Sequence, residues 1–355
     1  MTSGGGNPVG LNGFRSAEPR RLRLRKRNEG QMLKDRFGRT IDYLRISVTD
    51  RCNLRCRYCM PEGIRSIPMG ELLTYEEIAF VCEQAAGLGI DRIKITGGEP
   101  LVRKDCAVLV AMLRRIRGIR QVTMTTNGIL LGAHLDELLE AGLDAVNISL
   151  DTLDRDQYRR ITGADELDRA LASVRLAAGK LPVKINCVVQ RGINEDAPVR
   201  LAALARDLPV DVRFIELMPI GAGKDLEPVS NATVLAMIEE ACGQTTKDRE
   251  ARGNGPAVYR RAEGFAGRIG FISAMHGKFC GECNRLRLTS VGELKPCLCY
   301  GESVPLREIL RDGEAEKEER IREKIREAVR LKPAAHCFDT PENITEGRNM
   351  NTIGG

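Results

Sequence analysis

The sequence predicts an α/β fold: a partial (β/α)6 barrel of parallel strands over residues 37–250, with a smaller C-terminal part over 251–355. Three observations predict it. Short apolar strands alternate with amphipathic helices between residues 44 and 217. Most of the strands end on a loop of unusual composition, and parallel sheets gather their chemistry at the strands' carboxyl ends. At 355 residues with 42% hydrophobic content, the chain can bury one large core.

Leu44, Ile46 and Val48 alternate with polar residues as a strand should, and Asp50-Arg51-Cys52 follows. Thr74-Tyr75-Glu76-Glu77 has the spacing of a capping box, so a helix starts there and ends near Gly87–Gly89. A strand at Arg92–Thr96 runs into Gly97-Gly98-Glu99-Pro100, and a helix spans about 104–117. The third strand, Gln121–Thr125, leads into Thr126-Asn127-Gly128, with helical spacing resuming at Leu135–Leu139. Ala145–Ser149 is the fourth strand, followed by Leu150-Asp151 and a helix at Leu167–Ala178. Val183–Val189, a helix at 197–206 and the strand Val212–Leu217, which ends on Met218-Pro219, complete six units joined by right-handed crossovers. Gly243–Gly267 is polar and glycine-rich and reads as a connection. Residues 303–331 read as a charged amphipathic helix capping the open barrel.

The net charge of +6 is concentrated at one end, where residues 1–30 carry seven cations against Glu18 and Glu29 after Gly4-Gly5-Gly6. Residues 1–36 therefore read as a solvated, disordered tail, with an acidic-partner contact or a targeting peptide as alternatives. Aromatic residues make up 4% and Trp is absent, which argues against stacking platforms for nucleic acid. No apolar run suits a membrane span or a signal-peptide core, so the expectation is a soluble cytoplasmic protein without membrane or nucleic-acid partners.

Twelve cysteines in a chain of this length point to metal rather than to a disulfide framework. Cys52, Cys56 and Cys59 have the spacing C-x3-C-x2-C. Three thiolates so close can hold three irons of a 4Fe–4S cube and leave the fourth open to a chelating small molecule. No His or Cys lies nearby in sequence to complete a zinc site. On spacing alone, Cys280-Gly281-Glu282-Cys283 with Cys297-Leu298-Cys299 is compatible with a four-thiolate structural zinc site. Cys337 lies near the end, while Cys82, Cys106, Cys187 and Cys242 stand singly among apolar residues, as core side chains do. His134, His276 and His336 show no ligand spacing, and none is assigned to chemistry.

The cysteine triad after the first strand, Tyr58 before its last cysteine and Gly97-Gly98-Glu99-Pro100 after the second strand resemble the radical S-adenosylmethionine (SAM) superfamily. From Phe37 to Gly355 the chain resembles more narrowly the GTP 3′,8-cyclase family. The matching stretches are Leu44–Cys52, Lys94–Leu101, Thr125–Gly128, Asn147–Asp151, Arg213–Met218, Phe279-Cys280 to Leu288, and the terminal Ile353-Gly354-Gly355.

That resemblance implies a radical SAM barrel whose C-terminal part carries a second iron–sulfur cluster. It implies conversion of GTP to (8S)-3′,8-cyclo-7,8-dihydroguanosine 5′-triphosphate, which opens molybdenum cofactor biosynthesis. A 5′-deoxyadenosyl radical would abstract hydrogen from ribose C3′, and that carbon would attack guanine C8. The cofactors implied are two 4Fe–4S clusters, on Cys52, Cys56 and Cys59 and on Cys280, Cys283 and Cys297, with SAM. Cys299 falls outside the family pattern and is favoured as a bystander thiol. Tyr58, Gly98, Ser149 and Met218 would contact SAM. Arg45, Lys94, Thr125, Lys184, Arg285, Leu286 and Arg287 would contact GTP, with Arg285, Arg287, Gly354 and Gly355 acting in catalysis. Converging cations suit a triphosphate, and basic residues on buried strands need an anionic partner. The implied partners are an external one-electron reductant of flavodoxin or ferredoxin type and a downstream cyclic pyranopterin monophosphate synthase, with a homodimer left open. Two alternatives stay open: a radical SAM enzyme acting on a peptide or other substrate, and a metal-stabilised protein conjugated through its terminal Gly-Gly.

Overall fold

The computed structural model describes residues 32–60, 66–250, 252–313 and 315–354, so the basic stretch 1–31 lies outside the described residues. Residues 32–36, expected with that tail, belong instead to the fold. Lys34 pairs antiparallel with Thr40, and the carboxylate of Asp35 accepts from Arg39 Nε at 2.6 Å.

Six parallel strands form where the sequence alternates: β1 (Tyr43–Ser47), β2 (Arg92–Thr96), β3 (Gln121–Thr126), β4 (Ala145–Ser149), β5 (Val183–Val189) and β6 (Val210–Glu216). The helices between them are α1 (Tyr75–Gly87), α2 (Cys106–Arg115), α3 (Leu131–Glu140), α4 (Arg155–Thr162), α5 (Leu167–Ala178) and α6 (Ala197–Asp207). The capping box at the start of α1 is complete. Glu77 N–H donates to Thr74 Oγ1 at 3.1 Å, and Thr74 N–H donates to Glu77 Oε2 at 2.7 Å. Ile78, Val81, Cys82 and Ala85 then recur at helical spacing as the buried face of α1.

The chain beyond α7 (Asn231–Cys242) adds six strands to the same sheet: β7 (Thr245–Lys247), β8 (Val258–Ala262), β9 (Ile269–Ile272), β10 (Arg285–Leu288), β11 (Glu293–Lys295) and β12 (Val304–Pro305). The order across the sheet is β12-β11-β10-β1-β2-β3-β4-β5-β6-β9-β8-β7. The segment expected as a plain connection therefore contains β7 and β8, and the sheet is continuous across residue 250. Strand β9 lies parallel to β6 and β10 parallel to β1, so the parallel set extends by one strand at each edge. Close approach makes a glycine necessary at the entry to β9. A Cβ on Gly267 would sit 1.8 Å from the carbonyl oxygen of Val210.

Period-2 alternation separates two environments. Leu44, Ile46, Ile93, Ile95, Val183, Ile185 and Leu286 point outward into one large core beneath the helices. Arg45, Lys94, Thr123, Asn147, Lys184, Arg213, Ile272 and Arg285, one from each of eight neighbouring parallel strands, line a single cavity of about 120 Å³. Eight strands laid flat would span roughly 34 Å, so the sheet curves round this cavity as a partial barrel. The charged helix expected over the barrel mouth is α8 (Arg307–Arg311) and α9 (Lys317–Arg330). It lies elsewhere: α9 buries Ile321, Ile325, Ala328 and Val329 in the core, against α1, β11 and β12. No helix among the described residues is long and apolar enough to cross a membrane.

Candidate functional site: thiols and cations in one barrel

Loops at the carboxyl ends of the strands build a cavity of about 300 Å³ lined by Cys52, Cys56, Cys59, Gly98, Ser149 and Met218 at one side and by Cys280, Cys283 and Cys297 at another. Tyr58 lines it too, and its hydroxyl donates to Asp151 Oδ2 at 2.8 Å. Arg45, Thr125, Asn186, Ile215, Ile272 and Arg285 line both this cavity and the smaller one deeper in the barrel, so the two are continuous.

The triad's loop is held both by its own turn, where Met60 N–H donates to Cys56 O at 2.9 Å, and by its neighbours, where Arg55 N–H donates to Thr162 O at 2.8 Å. Leu54 N–H donates to Cys52 Sγ at 3.4 Å, and Asn127, from the loop after β3, reaches Asn53 Oδ1 at 2.7 Å. The glycines after β2 have a structural reason beyond the ligand approach that the sequence suggests. Gly98 N–H donates to Thr49 O at 2.7 Å, and a Cβ on Gly98 would meet Arg51 O at 2.3 Å. Only glycine lets the two loops close together. Glu99 then ties them to β3, accepting from Leu101 N–H at 3.1 Å, Thr126 Oγ1 at 2.7 Å and Asn127 N–H at 2.6 Å.

The residues of the triad fit a 4Fe–4S cluster. Burial pushes the Cys52 thiol up to about 11 and Cys59 up to about 12, and raises Cys56, with the neighbouring triad thiols adding to the rise at Cys56 and Cys59. Three thiolates there need a cation to offset their charge. Among the described residues no three His, Cys, Asp or Glu side chains converge on a point where a single ion would sit. Thiolates that bind separate irons of one cube stand further apart than ligands of one ion.

At the second motif, Cys280 Sγ accepts from His336 N–H at 3.4 Å. Burial raises the Cys283 thiol, but Lys332 and Arg285 outweigh it and bring Cys283 down to about 6. Cys299 does not line the cavity. It is fully buried with its Sγ 3.1 Å from Cys337 Sγ, in a small apolar cluster with Ile220, Leu298, Phe338 and Ile353.

Arg45, Lys94, Lys184, Arg213 and Arg285 all face the deeper cavity, while Arg287 faces the upper one. Burial, and then the neighbouring Arg213, Arg45 and Lys184, hold Lys94 well below the usual lysine range. Burial, and then Arg213, bring Lys184 down to about 7. Arg213 Nε donates to Asn186 Oδ1 at 2.9 Å. The protein thus concentrates positive charge where it is poorly solvated, an arrangement that an anion relieves.

Of the described residues expected at the site, Leu286 is turned away from it and Gly354 lines neither cavity. Alternation points the Leu286 side chain into the core, fully buried, between the inward-facing Arg285 and Arg287. Gly355 lies outside the described residues. The chain end does return to the barrel. Ile353 and Asn351 are buried, Asn351 Nδ2 donates to Asp50 O at 3.1 Å, and Arg287 Nη1 donates to Gly354 O. The sequence reasoning missed Arg213, although it quoted the stretch around it. Period-2 alternation along Val210–Glu216, which sets Asp211, Arg213 and Ile215 opposite Val210, Val212 and Phe214, was the available signal. It also missed Asp151 as the partner of Tyr58, and His336, whose ring stacks on Phe338 with centroids 4.3 Å apart on the cavity wall.

The comparisons agree with this geometry. Residues 46–205 match the Radical SAM superfamily, and residues 210–338 match Molybdenum Cofactor Synthesis C. The GTP 3′,8-cyclase of Clostridium perfringens strain 13 is 44% identical over 325 residues, covering 91% of this chain and 100% of the relative. That of Pelotomaculum thermopropionicum is 46% identical over 329 residues, with the same coverage. Among solved structures, Streptococcus suis SuiB bound to S-adenosylmethionine shares the fold, with a TM-score of 0.59 and 15% identity over 79% of this chain and 68% of that one. With the thiol triad, the inward cations and these relatives in agreement, the chain belongs to the GTP 3′,8-cyclase family of the radical SAM superfamily.

Proposed function

We propose that this chain converts GTP to (8S)-3′,8-cyclo-7,8-dihydroguanosine 5′-triphosphate, the first step of molybdenum cofactor biosynthesis. One observation carries the reading. The two groups of thiols line a cavity that shares Arg45, Thr125, Asn186, Ile215, Ile272 and Arg285 with the cation-lined cavity deeper in the same barrel. When bound at Cys52, Cys56 and Cys59, a 4Fe–4S cluster with SAM supplies the 5′-deoxyadenosyl radical that abstracts the ribose C3′ hydrogen and so lets C3′ bond to guanine C8.

The residues divide the remaining work. Tyr58, Gly98, Ser149 and Met218 surround the space beside the triad and orient SAM there. Arg45, Lys94, Lys184 and Arg213 hold the triphosphate deep in the barrel, with Thr125 and Asn147 as neutral partners beside them. Arg285 lines both cavities and Arg287 the upper one, so they lie between the phosphates and the reacting ring. Cys280, Cys283 and Cys297 would hold a second 4Fe–4S cluster, which would supply an iron without a protein ligand for substrate to bind. Enclosure by strands, and by the returning chain end, keeps water from the reacting carbon. An external one-electron reductant would supply the electron that cleaves SAM and a second that, with a proton, quenches the nucleobase radical left when C3′ joins C8; a cyclic pyranopterin monophosphate synthase would take the product, and the reaction is assigned to the cytoplasm.

The test is anaerobic reconstitution followed by incubation with SAM, a reductant and either GTP or ATP. The expected result is about eight irons per chain and a cyclised product from GTP. Wild-type 5′-deoxyadenosine formation by any of the Cys52→Ala, Cys56→Ala or Cys59→Ala variants would overturn the assignment of the triad.

A further inference from the structure

The second motif is anchored from outside the cavity by two cations that the proposed reaction does not use. Arg39 Nη1 donates to Cys280 O at 2.7 Å and to Ala334 O at 3.1 Å, and its Nη2 donates to Pro333 O at 2.6 Å. Its guanidinium contacts around the motif are all to backbone carbonyls, and its Nε is paired with Asp35. Lys332 differs. It is 2% exposed, and its Nζ has three acceptors: Arg285 O at 2.8 Å, Pro296 O at 2.9 Å and Cys283 Sγ at 3.7 Å. These acceptors come from β10, from the residue before Cys297 and from the motif itself. One ammonium therefore joins the segments carrying Cys283 and Cys297, and it directs a full charge at a sulfur that would ligate iron.

We propose that Lys332 is a positioning residue for the second cluster, and that its charge and its N–H···S contact with Cys283 raise that cluster's reduction potential. The inference rests on the reading that Cys280, Cys283 and Cys297 hold a 4Fe–4S cluster. A reduced cluster carries one more negative charge than an oxidised one, so a nearby buried cation stabilises the reduced form. Hydrogen bonds to the ligating sulfurs act in the same direction. Arg285 also faces Cys283, but it lines both cavities and is available to substrate. Lys332 lines neither. Its effect is therefore constant and independent of GTP, which sets it apart from the pocket arginines.

The experiment is a dye-mediated potentiometric titration of the full-length holoenzyme, followed by electron paramagnetic resonance. Added SAM marks the first cluster's signal. Wild type is compared with Lys332→Arg, which keeps charge and donors, Lys332→Gln, which keeps donors alone, and Lys332→Met, which keeps neither. The expected result is a second-cluster potential that stays near wild type in Lys332→Arg and becomes more negative in Lys332→Gln and further so in Lys332→Met. The first cluster's potential stays constant throughout. Should Lys332→Met fail to load, Lys332→Gln decides alone. Eight irons per chain with an unchanged second-cluster potential in Lys332→Gln would overturn the role of Lys332, as would an equal shift at both clusters. Only four irons in wild type would instead sink the second-cluster reading itself.

Discussion

Replacing Ile353 by Ala should release the chain end from the barrel and abolish cyclisation while sparing both metal sites. Ile353 is fully buried against Ile220, Leu298, Cys299 and Phe338. An Ile→Ala change at such a site costs roughly 2–5 kcal/mol, or about 30- to several-thousand-fold in the docking equilibrium of a segment free to leave. The remaining ties are weak by comparison. Asn351 Nδ2 to Asp50 O is 3.1 Å, Ala222 N–H to Asn349 Oδ1 is 3.2 Å, and Arg287 donates to Gly354 O. Each is worth about 1 kcal/mol, rising to about 3 kcal/mol for the charged donor, whereas ordering each residue of 350–354 costs about 1–2 kcal/mol. Without the isoleucine the hydrogen bonds do not hold the segment. Hydrogen exchange at 350–354 should rise by the same factor, and product formation should fall with it, at unchanged iron content and GTP affinity. Wild-type protection together with turnover within about twofold of wild type would refute the reasoning.

Three other outcomes follow from the same geometry. Cys299→Ala should keep the iron of the second site, whereas Cys280→Ala, Cys283→Ala and Cys297→Ala should each lose about four irons by elemental analysis. Lys94→Ala and Arg213→Ala should each weaken GTP binding by about ten- to a hundredfold in calorimetry, since hydrogen bonds to charged groups are worth roughly 1.5–3 kcal/mol, and should leave SAM binding unchanged. The contribution of Lys184 to GTP affinity, read as the difference between wild type and Lys184→Met, should be level below pH 7, where Lys184, lowered by burial to about 7, already carries its charge. Above pH 7, binding must take up a proton to restore that charge, so this contribution falls by up to about tenfold per unit. Calorimetry in buffers of differing ionisation heat should show Lys184→Met taking up one proton fewer, and equal uptake would contradict the assignment.

What the sequence made legible follows from how locally each feature is encoded. Strands β1 to β6 stand out because each is a short apolar or alternating run between polar breaks, and α1 because Thr74 and Glu77 complete a capping box. Helix α4 went unread because Arg155–Thr162 is largely polar, although Asp154 caps it by accepting from Gln157 N–H at 2.8 Å. The capping serine of α7, Ser230, was an equally available signal that was not used. Strands β7, β9, β10, β11 and β12 are two to four residues long, too short to show a period, and β8 carries the adjacent Arg260 and Arg261, which blur its alternation. The parallel pairing of Arg45 with Arg287 joins residues far apart in sequence, which no local pattern records. The same distance hid the site's depth. The cysteines were visible as spacing, but the convergence of Lys94, Lys184 and Arg213 needs the sheet to curve. Leu286 shows the converse. A run of matching residues carried it into the expected site, and period-2 alternation turned it to the core.

The central claim is that one cavity brings the radical end and the triphosphate end of the chemistry onto a single nucleotide. The most direct measurement supplies the reconstituted enzyme with GTP deuterated at ribose C3′, together with SAM and a reductant, and analyses the products by mass spectrometry. The account predicts one deuterium in the 5′-deoxyadenosine, formed in step with the cyclised nucleotide. 5′-Deoxyadenosine that carries no deuterium, or that forms equally fast without GTP, would contradict it.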